Sequence, residues 1–195
     1  MKKLENIEKL TNLKHLNMYI LTYNSNGENY KYYFASRRNI EELECKKIHK
    51  TDAVRIVPYF RKNGKLYIVL IKEFRHPLNA YIYGTPAGIV DKGEYAKNSA
   101  IREVREEIGA TVKNIKKVQN ASYSSAGLTD ETLECFYAEV EMGQNQNLDE
   151  IEDIKVKYIE LEKLIEFIDN NIFDLQSALL LKTFYYQVKY EEKEM

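Results

Sequence analysis

Tryptophan is absent from these 195 residues, and cysteine, proline and glycine number only two, three and eight. Cys45 and Cys135 stand alone, without a CxxC pair or a nearby ligand partner. That argues against both a disulfide scaffold and a zinc centre, and both read as reduced thiols. Long hydrophobic runs are missing too. The most apolar stretches, Leu66 to Ile71 and Leu179 to Leu181, fall far short of the roughly 20 residues that span a bilayer, and Met1-Lys2-Lys3-Leu4-Glu5 lacks an apolar signal core. A cytoplasmic protein without a membrane partner is expected. Nor does one sign of charge dominate: 29 Lys and Arg face 30 Asp and Glu, for a formal net charge of -1. With no basic cluster, the pull toward a polyanion that a nucleic-acid-binding protein needs is missing. What is present, 44% hydrophobic and 12% aromatic residues, suits one compact domain with a small added layer and excludes disorder over most of the chain.

The scarce glycines and prolines are not evenly spread. Gly84, Gly88, Gly93 and Gly109 crowd with Pro77 and Pro86 into one stretch, which marks a region of tight turns and close backbone approaches. Elsewhere the pattern is ordinary. Leu16 to Tyr23 and Tyr30 to Ser36 flank the turn segment from Asn24 to Asn29 and predict an N-terminal hairpin. Val54 to Phe60 and Leu66 to Ile71 flank Lys62-Asn63-Gly64 and predict a second, central hairpin. Further strands are expected at Thr111 to Val118, Leu133 to Val140 and Ile154 to Ile159. Helices are expected at Tyr95 to Ile108, Leu161 to Asn170 and Asp174 to Tyr190, each with apolar residues at three- and four-residue spacing. Glu191 to Met195 reads as a frayed tail. Strands mixed with three helices, without regular alternation, predict an α/β fold in which helices cover both faces of a mixed sheet.

Between Gly88 and Gly109 lies the segment with chemistry in it. At 100° per residue, Ala100, Ile101, Val104 and Ile108 form an apolar stripe on the helix, and Glu103, Glu106 and Glu107 share an arc of about 100° beside it. Like charges at i,i+4, here Glu103 and Glu107, destabilise a helix by a few tenths of a kcal/mol. A hard divalent cation would relieve that repulsion, and carboxylates near a tight glycine turn suit one.

The spacing is more specific than the composition. Gly88, Glu94, Arg102, Glu103, Val104, Glu106, Glu107 and Gly109 fit the pattern Gly-x5-Glu-x7-Arg-Glu-hydrophobic-x-Glu-Glu-x-Gly, which chance composition would produce in roughly one chain in a million. This resembles the Nudix box, with Ala110 where the box ordinarily ends on a bulky aliphatic residue. The resemblance extends to the ADP-ribose pyrophosphatase branch of the Nudix hydrolases. Pro86-Ala87-Gly88 is similar to the element that leads into the box there. Glu73-Phe74-Arg75-His76-Pro77-Leu78 resembles that branch's Gln-Phe-Arg-x-Pro, and Ser125-Ala126-Gly127-Leu128-Thr129-Asp130-Glu131 its Ser-Pro-Gly-x-Ser/Thr-Asp-Glu loop. Asp149 to Val156 resembles its acidic loop. Ala126 replaces a proline, and Gly84 replaces a glutamate that many members carry before Pro-Ala-Gly.

The resemblance implies an α/β/α sandwich at 51–195 preceded by an antiparallel β-layer at 1–50, ending in Ser36-Arg37-Arg38, that is exchanged between the subunits of a homodimer. It implies metal ligands at Glu103, Glu107, Glu106 and the Ala87 carbonyl, with Mg²⁺ as the cofactor and Mn²⁺ as a substitute. Glu94 and Arg102 form a support pair, and Glu150 or Glu152 in the acidic loop acts as general base. Arg75 and Arg37 are expected on phosphate or ribose, and Tyr32 and His15 as stacking partners for a base, His15 lying in the first strand. His49 and His76 receive no role. The implied activity is hydrolysis of the pyrophosphate bond of a nucleoside diphosphate sugar, ADP-ribose first, giving AMP and ribose 5-phosphate. Another ADP-, UDP- or GDP-sugar is the alternative within the same chemistry, and a non-catalytic nucleotide-sugar-binding module the alternative outside it.

Overall fold

The computed structural model describes residues 2–47 and 51–194, so His49 lies outside the described residues. The chain forms two compact units, one of Met1–Asp52 with Ala121–Leu133, the other of Ala53–Asn120 with Glu134–Met195.

The first unit is built on an antiparallel sheet of β1 (Lys3–Lys9), β2 (Asn17–Ser25) and β3 (Glu28–Ser36), in that spatial order. Asn26 and Gly27 turn β2 into β3 with φ of 54° and 91°, the two-residue hairpin geometry whose twist matches the strands. β1 escapes the strand pattern because its two apolar residues, Leu4 and Ile7, are three apart. A bulge between Leu4 and Asn6 lets both pack beside the buried Tyr19, Leu21, Phe34 and Leu43. The Ser125 to Glu131 loop joins this unit, with the Ala35 N–H donating to the Leu128 carbonyl at 2.8 Å. Arg38, nearly buried, forms the unit's charged centre with Asp52 at 2.7 Å, Glu44 at 3.1 Å and Asp130 at 3.2 Å.

In the second unit the main sheet follows the order β10 (Ile154–Glu160), β5 (Lys65–Arg75), β4 (Ala53–Lys62), β9 (Thr132–Met142), β8 (Ala110–Tyr123). Two short strands, β6 (Ala80–Gly84) on β5 and β7 (Ala87–Ile89) on β4, complete it; like β1, they are too brief or too mixed to show a period. β4 and β5 pair antiparallel through the Asn63-Gly64 turn. The Asp52 N–H donates to the Thr132 carbonyl at 3.1 Å, bringing the beginnings of β4 and β9 together in the parallel sense, so the sheet is mixed.

Strand alternation assigns the two faces. Val69 and Ile71 of β5 pack with Ala100, Val104 and Ile108 of α1 (Ala96–Ile108). Leu66, Ile68 and Leu70 pack on the opposite face with α2 (Leu164–Asp169) and α3 (Leu175–Glu194), through Leu164, Ile168, Leu181 and Phe184. The result is the expected α/β/α sandwich. Two details differ from the sequence pattern. The helix expected over Leu161 to Asn170 opens as a 3-10 turn at Leu161–Lys163 before α2 begins. Where a frayed tail was expected, the backbone stays helical to Glu194, and Met195 lies outside the described residues.

Candidate active site

α1 carries the site because of where its ends and its buried face fall. It starts just after Glu94 and Tyr95 and stops at Gly109, whose φ of 60° is left-handed and whose N–H caps the Arg105 carbonyl. The buried face consists of Ser99, Ala100, Glu103, Val104, Glu107 and Ile108. Ile101, expected in the apolar stripe, is 38% exposed instead, because the buried arc is centred on Val104 and includes Glu103 and Glu107 rather than leaving them beside it. Those carboxylates are only 7% and 4% exposed.

Backbone on β7 meets them. The Ala87 N–H donates to Glu107 Oε2 at 3.2 Å. A Cβ on Gly88 would lie 1.8 Å from Glu103 Oε1, so any side chain there would displace the Glu103 carboxylate from its place against the strand. Arg102 gathers the rest of the segment. Its Nη1 donates to Glu103 at 2.6 Å and to Glu106 at 3.1 Å, and its Nη2 to the Ile89 carbonyl at 2.9 Å and to Glu94 at 3.3 Å. Glu94 also accepts from Ser99 Oγ at 2.6 Å, and this bond above all holds its carboxyl below the usual range, with Arg102 adding to the effect.

The buried carboxylates of α1 shift the other way. Burial pushes Glu107 well above the usual carboxylate range, and the charges of Glu103, Glu152 and Glu73 push it further. Burial also raises Glu103, an effect that Arg102 partly opposes and Glu106 and Glu152 reinforce. Burial works against the charge of Arg102, yet Glu103, Glu94 and Glu106 raise its guanidinium above its ordinary value. Of the two acidic-loop candidates the structure therefore brings Glu152 into electrostatic range of Glu103 and Glu107, while Glu150 is exposed. Glu152 is half-buried, and its Oε2 accepts the Asp149 N–H at 2.9 Å.

Sequence reasoning overlooked Glu73. It lies on β5 two residues past Ile71, on the α1 side by alternation, and holds Arg75 Nη1 at 2.9 Å. The period-two run Val69, Ile71, Glu73 was the signal. The other proposed substrate residues belong to the first unit. Arg37 pairs with Glu131 at 3.3 Å, and the Tyr32 hydroxyl donates to the Gly127 carbonyl at 2.7 Å, the residue as a whole being 42% exposed. Tyr32 lines a cavity of about 530 Å³ with Tyr23, Tyr30, Phe34 and Tyr123. His15 is not in the first strand. It sits in an exposed bend ahead of β2, because the Asn17 side chain closes the loop onto Leu13, accepting its N–H at 2.8 Å and donating to its carbonyl at 2.9 Å.

Among the described residues, no three acidic, His or Cys side chains are already drawn together as a metal cage. The donor chemistry nonetheless fits a hard divalent cation: buried, mutually repelling carboxylates, of which Glu107 forms no ion pair with any basic side chain among the described residues. Glu103 and Glu107 would hold it, with Glu106 and the Ala87 carbonyl alongside.

Comparison with known proteins bears on the family and the fold. Residues 49–178 match the NUDIX domain model. The chain is 34% identical over 139 residues to putative nudix hydrolase 2 of Caenorhabditis elegans, covering 68% of this chain and 60% of that protein. It is 34% identical over 125 residues to the ADP-ribose pyrophosphatase of Bacillus subtilis, covering 63% of this chain and 66% of that one. The match thus spans about three-fifths to two-thirds of these relatives' length. The fold superposes on a crystal structure of an ADP compounds hydrolase with a TM-score of 0.73 at 16% identity, over 96% of this chain and 95% of that one. Because the matched stretch takes in well over half of the chain, from before β4 to the first turn of α3, the chain belongs to the NUDIX family.

Proposed function

We propose that the protein is an Mg²⁺-dependent hydrolase of the pyrophosphate bond of a nucleoside diphosphate sugar, with ADP-ribose, split into AMP and ribose 5-phosphate, as the first substrate. The observation that carries this reading is the pair of buried carboxylates, Glu103 and Glu107, set against the Ala87 and Gly88 backbone with Glu152 in electrostatic range. Matches to enzymes named ADP-ribose pyrophosphatase support the substrate. Mn²⁺ is expected to substitute for Mg²⁺.

When bound, the metal neutralises the diphosphate and lowers the pKa of the attacking water. Glu152 takes the proton from that water, its carboxylate aimed by the Asp149 N–H. Arg102 stays out of the chemistry. With Glu94 it fixes the start of α1 and the orientation of Glu103 and Glu106, so the carboxylates need little rearrangement when substrate arrives. Arg75 supplies guanidinium donors to the diphosphate once it exchanges Glu73 for phosphate oxygens. The nucleoside end falls to Arg37, Tyr32 and His15 of the N-terminal layer, which the family resemblance assigns to the partner subunit of a homodimer. Sedimentation equilibrium tests that assembly: a mass twice the 23.0 kDa of the chain supports it, and a monomer rejects it.

A second reading, the same reaction on another nucleoside diphosphate sugar, rests on Gly84 and Ala126, which depart from the ADP-ribose pattern. One assay separates the readings: hydrolysis, with and without Mg²⁺, of ADP-ribose, ADP-glucose, UDP-glucose, GDP-mannose, NADH and diadenosine polyphosphates, with release of phosphomonoesters measured. Rapid AMP release from ADP-ribose supports the first substrate, and preference for another compound replaces it. No turnover alongside tight binding of one compound rejects the enzyme in favour of a binding module.

A further inference from the structure

Gly84 is a departure with a structural consequence. A Cβ there would meet Asp174 Oδ2 at 3.0 Å and Ser177 Oγ at 3.3 Å, so the start of α3 occupies the space a side chain at 84 would fill. Asp174 is the residue just before α3, and its Oδ1 accepts the Ser177 N–H at 2.8 Å, capping the helix. Its Oδ2 lies 3.2 Å from Arg55 Nη1. Arg55, on β4, also reaches Thr85 Oγ1 at 3.5 Å and donates to Ser177 Oγ. Ser177 Oγ in turn accepts the Thr85 N–H at 3.0 Å, and both residues are essentially inaccessible, at 0% and 1% exposed.

This network ends at the catalytic backbone. Arg55 is paired in register with Ala87, and the Ile56 N–H donates to the Pro86 carbonyl at 2.9 Å. Thr85 therefore anchors one end of a stretch whose other end, Ala87 and Gly88, touches Glu107 and Glu103. A surface ion pair could be lost without consequence, but an arginine this deep needs its carboxylate. Without Asp174, Arg55 would keep only the neutral Ser177 and Thr85 as partners, and its uncompensated charge would pull on the segment they hold.

We infer that Asp174 is a positioning residue for the reaction: through Arg55 and Ser177 it sets the Thr85–Gly88 segment at the distance that Glu103 and Glu107 require. The inference rests on the reading of those two carboxylates as the metal-holding pair. It assigns to the start of α3, on the opposite face of the sheet from α1, control over the geometry of the site.

The test uses the full chain with Asp174→Asn, which keeps the shape and one acceptor for the Ser177 N–H but removes the charge and the oxygen that accepts from Arg55. Three quantities are compared with wild type: Mn²⁺ affinity by electron paramagnetic resonance, exchange of the Ala87 amide, and kcat against KM. Leu181→Ala, farther along α3, serves as a control that loosens the helix without touching the network. Asp174→Asn is expected to weaken Mn²⁺ binding several-fold, to speed exchange at Ala87, and to lower kcat about ten- to a hundredfold with little change in KM, the scale of a small misplacement of reacting groups. Leu181→Ala should lower thermal stability and change none of the three. Adding Arg55→Gln to Asp174→Asn removes the orphaned charge and should recover most of the loss. Unchanged Mn²⁺ affinity and Ala87 exchange in folded Asp174→Asn protein would overturn the inference. If that variant does not fold, Ser177→Ala, which removes the Thr85 acceptor, carries the same expectations. Mn²⁺ binding and amide exchange do not depend on substrate, so they decide the matter even if wild type cleaves nothing in the panel and the functional reading itself fails.

Discussion

Burying Glu107 beside Glu103 costs folding free energy that an uncharged residue at 107 would not, since desolvation and a like charge both disfavour its ionised form. Glu107→Gln should therefore have opposite effects on stability and activity. Turnover should fall by about two orders of magnitude or more through the lost ligand charge, while the metal-free protein melts a few degrees higher, since roughly 1 kcal/mol is worth about 2–4 °C in a chain of this size. Calorimetry beside the hydrolysis assay reads both, and a lower melting temperature would sink the argument. The same shifts give a pH dependence. Glu103 and Glu107, raised in the folded state, bind more protons there than in the unfolded chain, so without metal stability should fall as pH rises from the ordinary carboxylate range through their folded values. Glu94, lowered, works oppositely: its contribution is present above the ordinary range and disappears as pH falls through its folded value. Thermal melts from acidic to mildly alkaline pH should show a gain on adding Mg²⁺ that grows with pH; a gain independent of pH would show that these carboxylates do not hold the ion.

At the scale of elements, α1 is stable despite its charge pattern. Burying Val104 and Ile108 contributes about 1.5–3 kcal/mol each, which offsets the cost of burying Glu103 and Glu107 on the same face. Its length depends on one residue. A Cβ on Gly109 would lie 2.2 Å from the Gln144 carbonyl oxygen, a backbone atom that no rotamer change can move, and the φ there is left-handed. Gly109→Ala should cost about 2 kcal/mol or more, the strained backbone adding to the clash, and lower the melting temperature by roughly 4–8 °C. The loop after β9 should loosen with it, since the Gln144 N–H donates back to the Gly109 carbonyl at 2.9 Å. Amide exchange at Gln144 and Asn147 checks the second half of this expectation. The helix and its carboxylates were legible because the box fixes eight positions at set spacings. Which of Glu150 and Glu152 turns inward was not, since adjacent loop residues carry no period.

Across the molecule, each compact unit has its own charged centre, Arg38 in one and Arg102 in the other. Arg38 is the only basic partner of Asp52 and Asp130 among the described residues, so Arg38→Met should leave buried charge uncompensated at a cost of about 3–5 kcal/mol. Hydrogen exchange should then rise through residues 2–47 and 121–133 while the strands around Val69 stay protected. Loss of protection throughout would show that the two units fold as one. The sequence by itself determined the class of fold, the N-terminal and central hairpins, the three helices and the spacing that sets the carboxylates along α1. These follow from local periodicity, turn residues and motif spacing, which act over a few residues. Only the tertiary structure decided that Glu73 and Glu152 come within electrostatic range of Glu107, that Leu4 and Ile7 share a side across a bulge, and that Asp174 fills the space left at Gly84. Each of these is set by the packing of one element against another, which no local pattern in the chain records.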